Sequence, residues 1–115
     1  MSHEASVTIT NPNGTGNVVA VSIGTLKPKG AKKMVWTVDT TGWEFAINGI
    51  TIANNNTSQF TDPQRYGNNQ KFSWDDANRD NLQYKYTIWV QPVGQPALGA
   101  SLDPYIQNGE ISPRN

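Results

Sequence analysis

The sequence predicts an all-β fold, specifically a single immunoglobulin-like antiparallel β-sandwich of about seven or eight strands. No window carries the sustained i, i+3, i+4, i+7 apolar spacing of an amphipathic helix. Short runs instead alternate apolar and polar residues, the pattern of half-buried strands. Turn-forming residues separate these runs at intervals of about 10 to 15 residues, which is typical of sandwiches and barrels.

The alternating runs place the predicted strands in order along the chain. The clearest run is residues 84–90, which puts Lys85, Thr87 and Trp89 on the face opposite its large apolar residues. Residues 61–70 are predicted to form a loop, residues 75–81 a turn, and residues 98–106 a last strand. The apolar positions predicted to face the core are Val7, Ile9, Val19, Val21, Ile23, Met34, Trp36, Val38, Tyr84, Tyr86, Ile88 and Val90.

Residues 45–52 carry the strongest local turn signal. They read as two short strands joined by Asn48-Gly49, and these residue types tolerate the positive φ angles that a type I′ turn requires. In such a hairpin Ile47 opposes Ile50 and Phe45 opposes Ile52. We therefore expect all four apolar side chains on one buried face.

Two details favour the immunoglobulin-like form of the sandwich. Trp36 lies on an early-middle strand, where such folds place a core tryptophan. Asp80 precedes Tyr84 by four residues at the entry to a late strand, as in a tyrosine corner. A length of 115 residues without an internal repeat predicts one domain spanning residues 1–115.

Composition excludes several classes of function. There are 0 cysteines, which rules out thiolate catalysis and zinc–thiolate sites. The formal net charge is +0, and the small lysine cluster at residues 27–33 has the proline and glycine of a solvated loop, so we expect no nucleic-acid partner. No apolar run approaches the ~20 residues of a membrane helix, so no membrane partner is expected. The first residues lack a signal-peptide pattern, which together with the missing cysteines favours a cytoplasmic location.

Catalytic constellations are also missing from the sequence. The single histidine, His3, is expected in a frayed terminus, so it pairs with no nucleophile. The 9 acidic residues show no arrangement that would raise the pKa of one carboxyl and lower that of another. The sequence therefore predicts a protein that is not an enzyme.

One polar motif matches a metal-binding pattern. Asp76, Asn78 and Asp80 stand at alternate positions, as the oxygen ligands of a calcium loop do. The motif departs from an EF-hand because Asn81 replaces the glycine and Thr87 replaces the final glutamate. The alternative is a polar loop in which the same side chains bond their own backbone as Asx turns. Calcium binding is thus one interpretation of this loop, and no other cofactor is predicted.

Aromatic residues supply the candidate ligand-binding positions. Trp36 and Trp74 are in phase with apolar neighbours and are assigned to the core, whereas Trp89 is out of phase. Trp43 follows Thr40-Thr41-Gly42 and is expected at a loop edge. The predicted ligand-binding residues are Trp89, Lys85, Trp43 and Tyr105.

The C-terminal part of the chain also resembles a known group of proteins. It contains Tyr84-x-Tyr86 on a strand, then Gly99, then the run Leu102-Asp103-Pro104-Tyr105-Ile106. This arrangement resembles the closing segment of small bacterial β-sandwich proteins of the inclusion-body (AidA/PixA-like) type, over residues 84–106. The resemblance implies a β-sandwich and supplies no catalytic residues.

The leading functional hypothesis is a non-enzymatic binding or self-assembly module. It would contact a second copy or another protein through the Trp89–Lys85–Thr87 face. The alternative is a lectin-like carbohydrate-binding module, with or without calcium, because an exposed tryptophan beside amide side chains suits sugar recognition. The third hypothesis is a hydrolase that uses paired carboxylates, which requires two acidic side chains in one pocket. For Trp89 itself, the alternative is that another sheet, a loop or a second subunit covers the ring.

Overall fold

The computed structural model of the protein describes residues 2–10, 18–22, 25–28, 30, 32–55, 59–78 and 82–108. In these residues the chain forms ten β-strands and one short 3-10 turn, Pro96–Leu98. The strands make two sheets that pack face to face over one apolar core. The predicted all-β sandwich is therefore confirmed. Among the described residues, no helix is long and apolar enough to cross a membrane.

The first sheet has five strands in the order β2-β1-β4-β7-β6. Its central strands carry alternating apolar residues toward the second sheet, which is why they pair side by side and bury one face. The bounds are β1 Ser2–Thr10, β2 Val18–Val21, β4 Lys32–Val38, β6 Phe60–Tyr66 and β7 Lys71–Asp76.

The second sheet has the order β3-β10-β8-β5, and β9 also pairs with β8. Its long strand β8 pairs on one side with β5 and on the other side with β9 and β10 in succession. The predicted last strand is thus two short strands, separated by Asp103 and Pro104. The bounds are β3 Thr25–Leu26, β5 Trp43–Ile52, β8 Gln83–Pro92, β9 Ala100–Leu102 and β10 Tyr105–Gln107.

Strand direction corrects the prediction in one respect, because the sheets are mixed and not purely antiparallel. Strand β1 runs parallel to β4, and β10 runs parallel to β3. Alternation of apolar residues shows which face is buried but not which way a strand runs, so the sequence could not reveal these pairings. The β1 pairing also places His3 opposite Met34 in a strand, so the predicted frayed terminus is wrong.

The predicted core positions are largely correct. On β8 the alternate residues Tyr84, Tyr86, Ile88 and Val90 are all buried, as are the predicted apolar residues of β1 and β4. Val21 is only partly buried, and Ile23 lies outside the described residues. Trp36 is fully buried, whereas Trp74 packs against the core half-buried.

The segment predicted as a loop at 61–70 is largely strand β6. It pairs antiparallel with β7, with an irregularity between Thr61 and Gln64. Pro63 lies in this irregularity and Asp62 has a positive φ of 58°. An edge strand tolerates a proline and a bulge because one side of its backbone needs no partner strand. Those same residues are turn formers, which explains the wrong prediction.

Candidate functional site

Trp89 lies on the outer face of the second sheet. Its neighbours Ile88 and Val90 point into the core, so alternation along β8 directs the indole outward, where 45% of the residue is exposed. The prediction that Trp89 lies on the face opposite the core residues of its strand is therefore confirmed. Its Nε1 donates a hydrogen bond of 3.2 Å to Oγ1 of Thr51 on the adjacent strand β5. This bond orients the ring across the sheet surface.

The predicted Asn48-Gly49 hairpin is wrong, and a bulge takes its place. Strand β5 continues along β8, with Phe45 opposite Val90 and Ile50 opposite Ile88. Residues 46–49 therefore face the single residue Trp89 across the pairing. Neither central residue of the expected turn has a positive φ. The bulge lifts Ile47 away from the core, leaving 74% of it exposed.

Gly49 is needed in this bulge for close packing. A Cβ atom at this position would lie 2.6 Å from Cβ of Phe45 and 2.9 Å from its Cδ1. Phe45 is fully buried and packs edge-on against Phe72, with ring centroids 5.9 Å apart. Its Cβ cannot retreat without moving the core, so a glycine lets the bulge close over the Phe45 side chain.

The bulge forms one wall of a cavity beside Trp89. This cavity has a volume of about 530 Å³, and a smaller one of about 230 Å³ adjoins it beneath the 3-10 turn. Among the described residues, no charged side chain lines either cavity. The first is lined by Ala46, Ile47, Asn48, Thr51, Trp89, Gln91 and Pro96. We call these seven residues the Trp89 groove.

A buried carboxylate lies directly behind this groove. Glu44 Oε2 accepts hydrogen bonds from Gln91 Nε2 at 2.7 Å and from the Gly94 backbone N–H at 3.2 Å, while Oε1 accepts one from Asn69 Nδ2. Burial alone would raise the pKa of the Glu44 carboxyl, but these hydrogen bonds and the nearby charge of Arg65 outweigh it and lower the pKa. Glu44 is therefore ionised at neutral pH and fixes the amide of Gln91.

Lys85 and Tyr105 form a separate pair near the other end of the same face. The Lys85 Nζ lies 5.9 Å from the centroid of the Tyr105 ring, a cation–π distance. Lys85 is four residues from Trp89, about 13 Å along an extended strand. Neither residue lines the Trp89 groove. The structure thus places both on the predicted face without bringing them to the tryptophan.

Trp43 is buried, so the expectation of an exposed ring at a loop edge is wrong. It is only 3% exposed, at the start of β5 opposite Pro92. The turn at 40–42 ends immediately before it, so Trp43 is the first residue of a strand whose inward face meets the core. A buried ring is not available for ligand stacking.

The motif predicted as a calcium site shows the Asx-turn arrangement. Asp76 Oδ1 accepts a hydrogen bond of 2.8 Å from the backbone N–H of Asn78. The Asn78 Nδ2 group donates to the carbonyl oxygens of Pro28 and Gly30, at 2.9 and 3.0 Å. Both side chains are buried, and Asn78 attaches this loop to the segment before β4. Asp80 lies outside the described residues. The described part of the chain holds no group of three or more acidic, histidine or cysteine side chains placed so that they could hold a metal ion.

Sequence reasoning named only Trp89 among the seven residues of the groove. The hairpin interpretation assigns Ile47 to a buried face. Gln91 is two residues after Trp89 on β8, so the alternation that exposes Trp89 also predicts Gln91 on the same face. The pairing of β5 with β8 brings the β5 residues of the groove beside Trp89, and the 3-10 turn after β8 brings Pro96. No protein-family model matches the chain, and no curated protein matches its sequence.

Proposed function

We propose that the protein is a non-enzymatic binding and self-association module on an immunoglobulin-like sandwich. Its binding surface is the Trp89 groove together with the exposed apolar residues Val93 and Leu98 of the following segment. The observation that carries this proposal is the exposure of Trp89 and Ile47 side by side on a paired sheet. Large exposed apolar residues grouped in this way are typical of interaction sites.

The chemistry of the groove supports binding over catalysis. General acid–base chemistry needs a titratable side chain within hydrogen-bond reach of the reacting atom. The described walls of both cavities are apolar, amide or hydroxyl groups. The carboxylate behind them, Glu44, is buried and engaged by three donors. Such walls suit recognition of an uncharged surface.

The edge of the second sheet is a poorer place for a partner. Strand β5 lies at this edge, where an added strand would need free backbone groups. Arg65 Nη1 donates to the carbonyl of Phe45, and Trp74 Nε1 donates to the carbonyl of Ile50 at 2.8 Å. These side chains occupy backbone acceptors that an incoming strand would use. The outer face is therefore the better candidate.

A second copy of the chain is the partner that this surface favours. Val93 and Leu98 are also exposed, on the segment that leads away from β8. A surface whose described lining is uncharged meets its own copy without like-charge repulsion. The exposed Ile47 side chain of one copy is apolar, as are most of the walls of the cavity in the other copy, so the two surfaces match in polarity.

Sedimentation velocity from about 1 µM to about 1 mM tests the proposal over the range of weak interfaces. We expect the sedimentation coefficient of the unmodified protein to rise with concentration and that of Trp89→Ala to stay at the monomer value. Tyr66→Ala is the matched control, because Tyr66 is an aromatic residue 41% exposed on β6 of the other sheet. A monomer at every concentration would reject self-association.

A further inference from the structure

We infer that the Trp89 groove is a preformed site for a neutral saccharide, with the buried Glu44 as the residue that positions its Gln91 amide. The inference rests on the proposed binding surface but names a different occupant. The two cavities together fall in the range of about 300–1,000 Å³ that small-molecule sites occupy.

The aromatic wall of the groove matches one side of a sugar ring. A pyranose presents an apolar face of C–H groups, which packs on the flat surface of an indole. The Trp89 ring is accessible and is held by its hydrogen bond to Thr51. Ile47 and Pro96 also line the groove and add to its apolar wall. The ring can therefore receive a ligand without first losing side-chain freedom.

The polar groups of the groove match the hydroxyls of the same ligand. Gln91 Nε2 donates one hydrogen to Glu44 at 2.7 Å, which leaves its Oε1 acceptor and its second N–H donor for a ligand. Asn48 is exposed on the bulge and offers both a donor and an acceptor. Hydroxyl groups, which donate and accept, satisfy both amides.

The charge of the site selects a neutral ligand. The seven residues of the groove include no cationic side chain to pair with a carboxylate or a sulfate. Behind them lies the ionised Glu44, which disfavours an anion. A sialylated or sulfated glycan would therefore find no cationic partner in the groove and would face the negative charge of Glu44.

An array of immobilised glycans tests the inference, with the protein displayed on tetrameric streptavidin so that weak contacts gain avidity. The array carries neutral hexose-terminated and N-acetylhexosamine-terminated glycans beside sialylated and sulfated ones. We expect binding to neutral glycans only. Isothermal calorimetry with the best neutral glycan then measures variants whose fold has been checked by circular dichroism.

The expected pattern among variants is specific. Trp89→Ala loses measurable binding, Gln91→Ala weakens it about tenfold, and Tyr66→Ala leaves it unchanged. Glu44→Gln weakens binding several-fold, because a neutral amide holds Gln91 less firmly. If Glu44 acts through Gln91, the double variant Glu44→Gln, Gln91→Ala binds no more weakly than Gln91→Ala alone. A purely structural role would make the two effects add.

The outcomes separate this inference from self-association. Neutral glycan binding by a monomer supports the inference and rejects the dimer. No binding to any neutral glycan, a preference for charged glycans, or undiminished binding by Trp89→Ala overturns the inference. A concentration-dependent dimer that binds no glycan shows that the surface is a protein interface, which also overturns it.

Discussion

The indole N–H of Trp36 donates a hydrogen bond of 3.0 Å to the phenolic oxygen of Tyr86 across the interior of the sandwich. Trp36 is on β4 of the first sheet and Tyr86 on β8 of the second, and their ring centroids are 5.2 Å apart. Burial raises the pKa of Tyr86 to about 12, although the bond from Trp36 acts in the opposite direction. The pair is thus a neutral polar link between two apolar sheet faces.

Replacing Tyr86 with phenylalanine should destabilise the protein by about 1–3 kcal/mol. The ring remains, so the loss comes from leaving the buried Trp36 N–H without its acceptor. Urea denaturation monitored by circular dichroism measures the change. In a double-mutant cycle, Tyr86→Phe should cost clearly less when Trp36 is already phenylalanine. Additive effects would show that the hydrogen bond contributes little.

The β5 bulge predicts a large loss of stability from substitution of Gly49 and almost none from substitution of Asn48. Gly49→Ala should destabilise by about 1–3 kcal/mol, because the new Cβ overlaps Phe45 in the core. Asn48→Ala should change stability by less than about 0.5 kcal/mol, because Asn48 is exposed and has no positive φ. Thermal and urea denaturation of both variants check this. A large loss from Asn48→Ala would indicate the type I′ hairpin instead.

This bulge also shows how far the sequence could predict the structure. The buried faces of β1, β4 and β8 follow from alternation, since a strand with one apolar side has one stable orientation on a core. The Asn48-Gly49 signal is local, and the long pairing between β5 and β8 overrides it. The choice between a turn and a bulge depends on a distant strand, which the short run from 45 to 52 does not contain.

The candidate site was predictable only at its centre. Trp89 stands out because it breaks the phase of its strand, and its exposure follows from that phase alone. The residues before Trp43 form a turn and show no alternation that would indicate which face the ring takes, so the sequence suggests an exposed ring. Gln91, two residues after Trp89, shares its face by the same alternation. Ile47 joins them only through the pairing of β5 with β8, and Glu44 contacts Gln91 across that pairing. These last two are tertiary relationships, and no spacing in the sequence encodes them.

Asn78 should be important for stability whether or not a metal is present. Asn78→Ala removes two hydrogen bonds to the carbonyls of Pro28 and Gly30 and leaves those acceptors without this donor. We expect a loss of about 2 kcal/mol, measured by urea denaturation.

Asn54→Ala is the matched control for this variant. Asn54 has a positive φ of 60°, close to the 54° of Asn78, but it lies exposed in a turn. Alanine therefore meets similar backbone strain at both positions, and only Asn78→Ala also loses buried hydrogen bonds. Equal losses from the two variants would assign the effect to the backbone.

The same loop predicts the response to calcium. Asp76 and Asn78 already bond within the loop and to the neighbouring segment, as an Asx turn requires. We therefore expect equal melting temperatures in millimolar calcium and in a chelator. A ligand that binds only the folded state raises the melting temperature, so a calcium-dependent rise would support the metal-site interpretation of Asp76, Asn78 and Asp80 instead.

His3 should make stability depend on pH in a defined range. Burial lowers the pKa of His3 from its ordinary value of 6.5, and the charge of Lys32 lowers it further. The unfolded chain therefore binds this proton at a higher pH than the folded chain. The contribution of neutral His3 to the free energy of unfolding should be complete above pH 6.5. It should fall as the pH drops from 6.5 toward the lower pKa of His3 in the folded protein.

Urea denaturation between about pH 7.5 and about pH 5.5 measures this fall in stability. Carboxyl groups with ordinary pKa values of about 4 stay ionised over that range, so they do not add to the change. Because the pKa of Glu44 is lowered, the stability that its ionised form contributes is lost only as the pH falls below its ordinary value of 4.5, outside this pH range. His3→Gln should flatten the pH dependence. Lys32→Gln should reduce it in part, since burial is the larger cause and remains. An unchanged slope in His3→Gln would mean that another group takes up the proton.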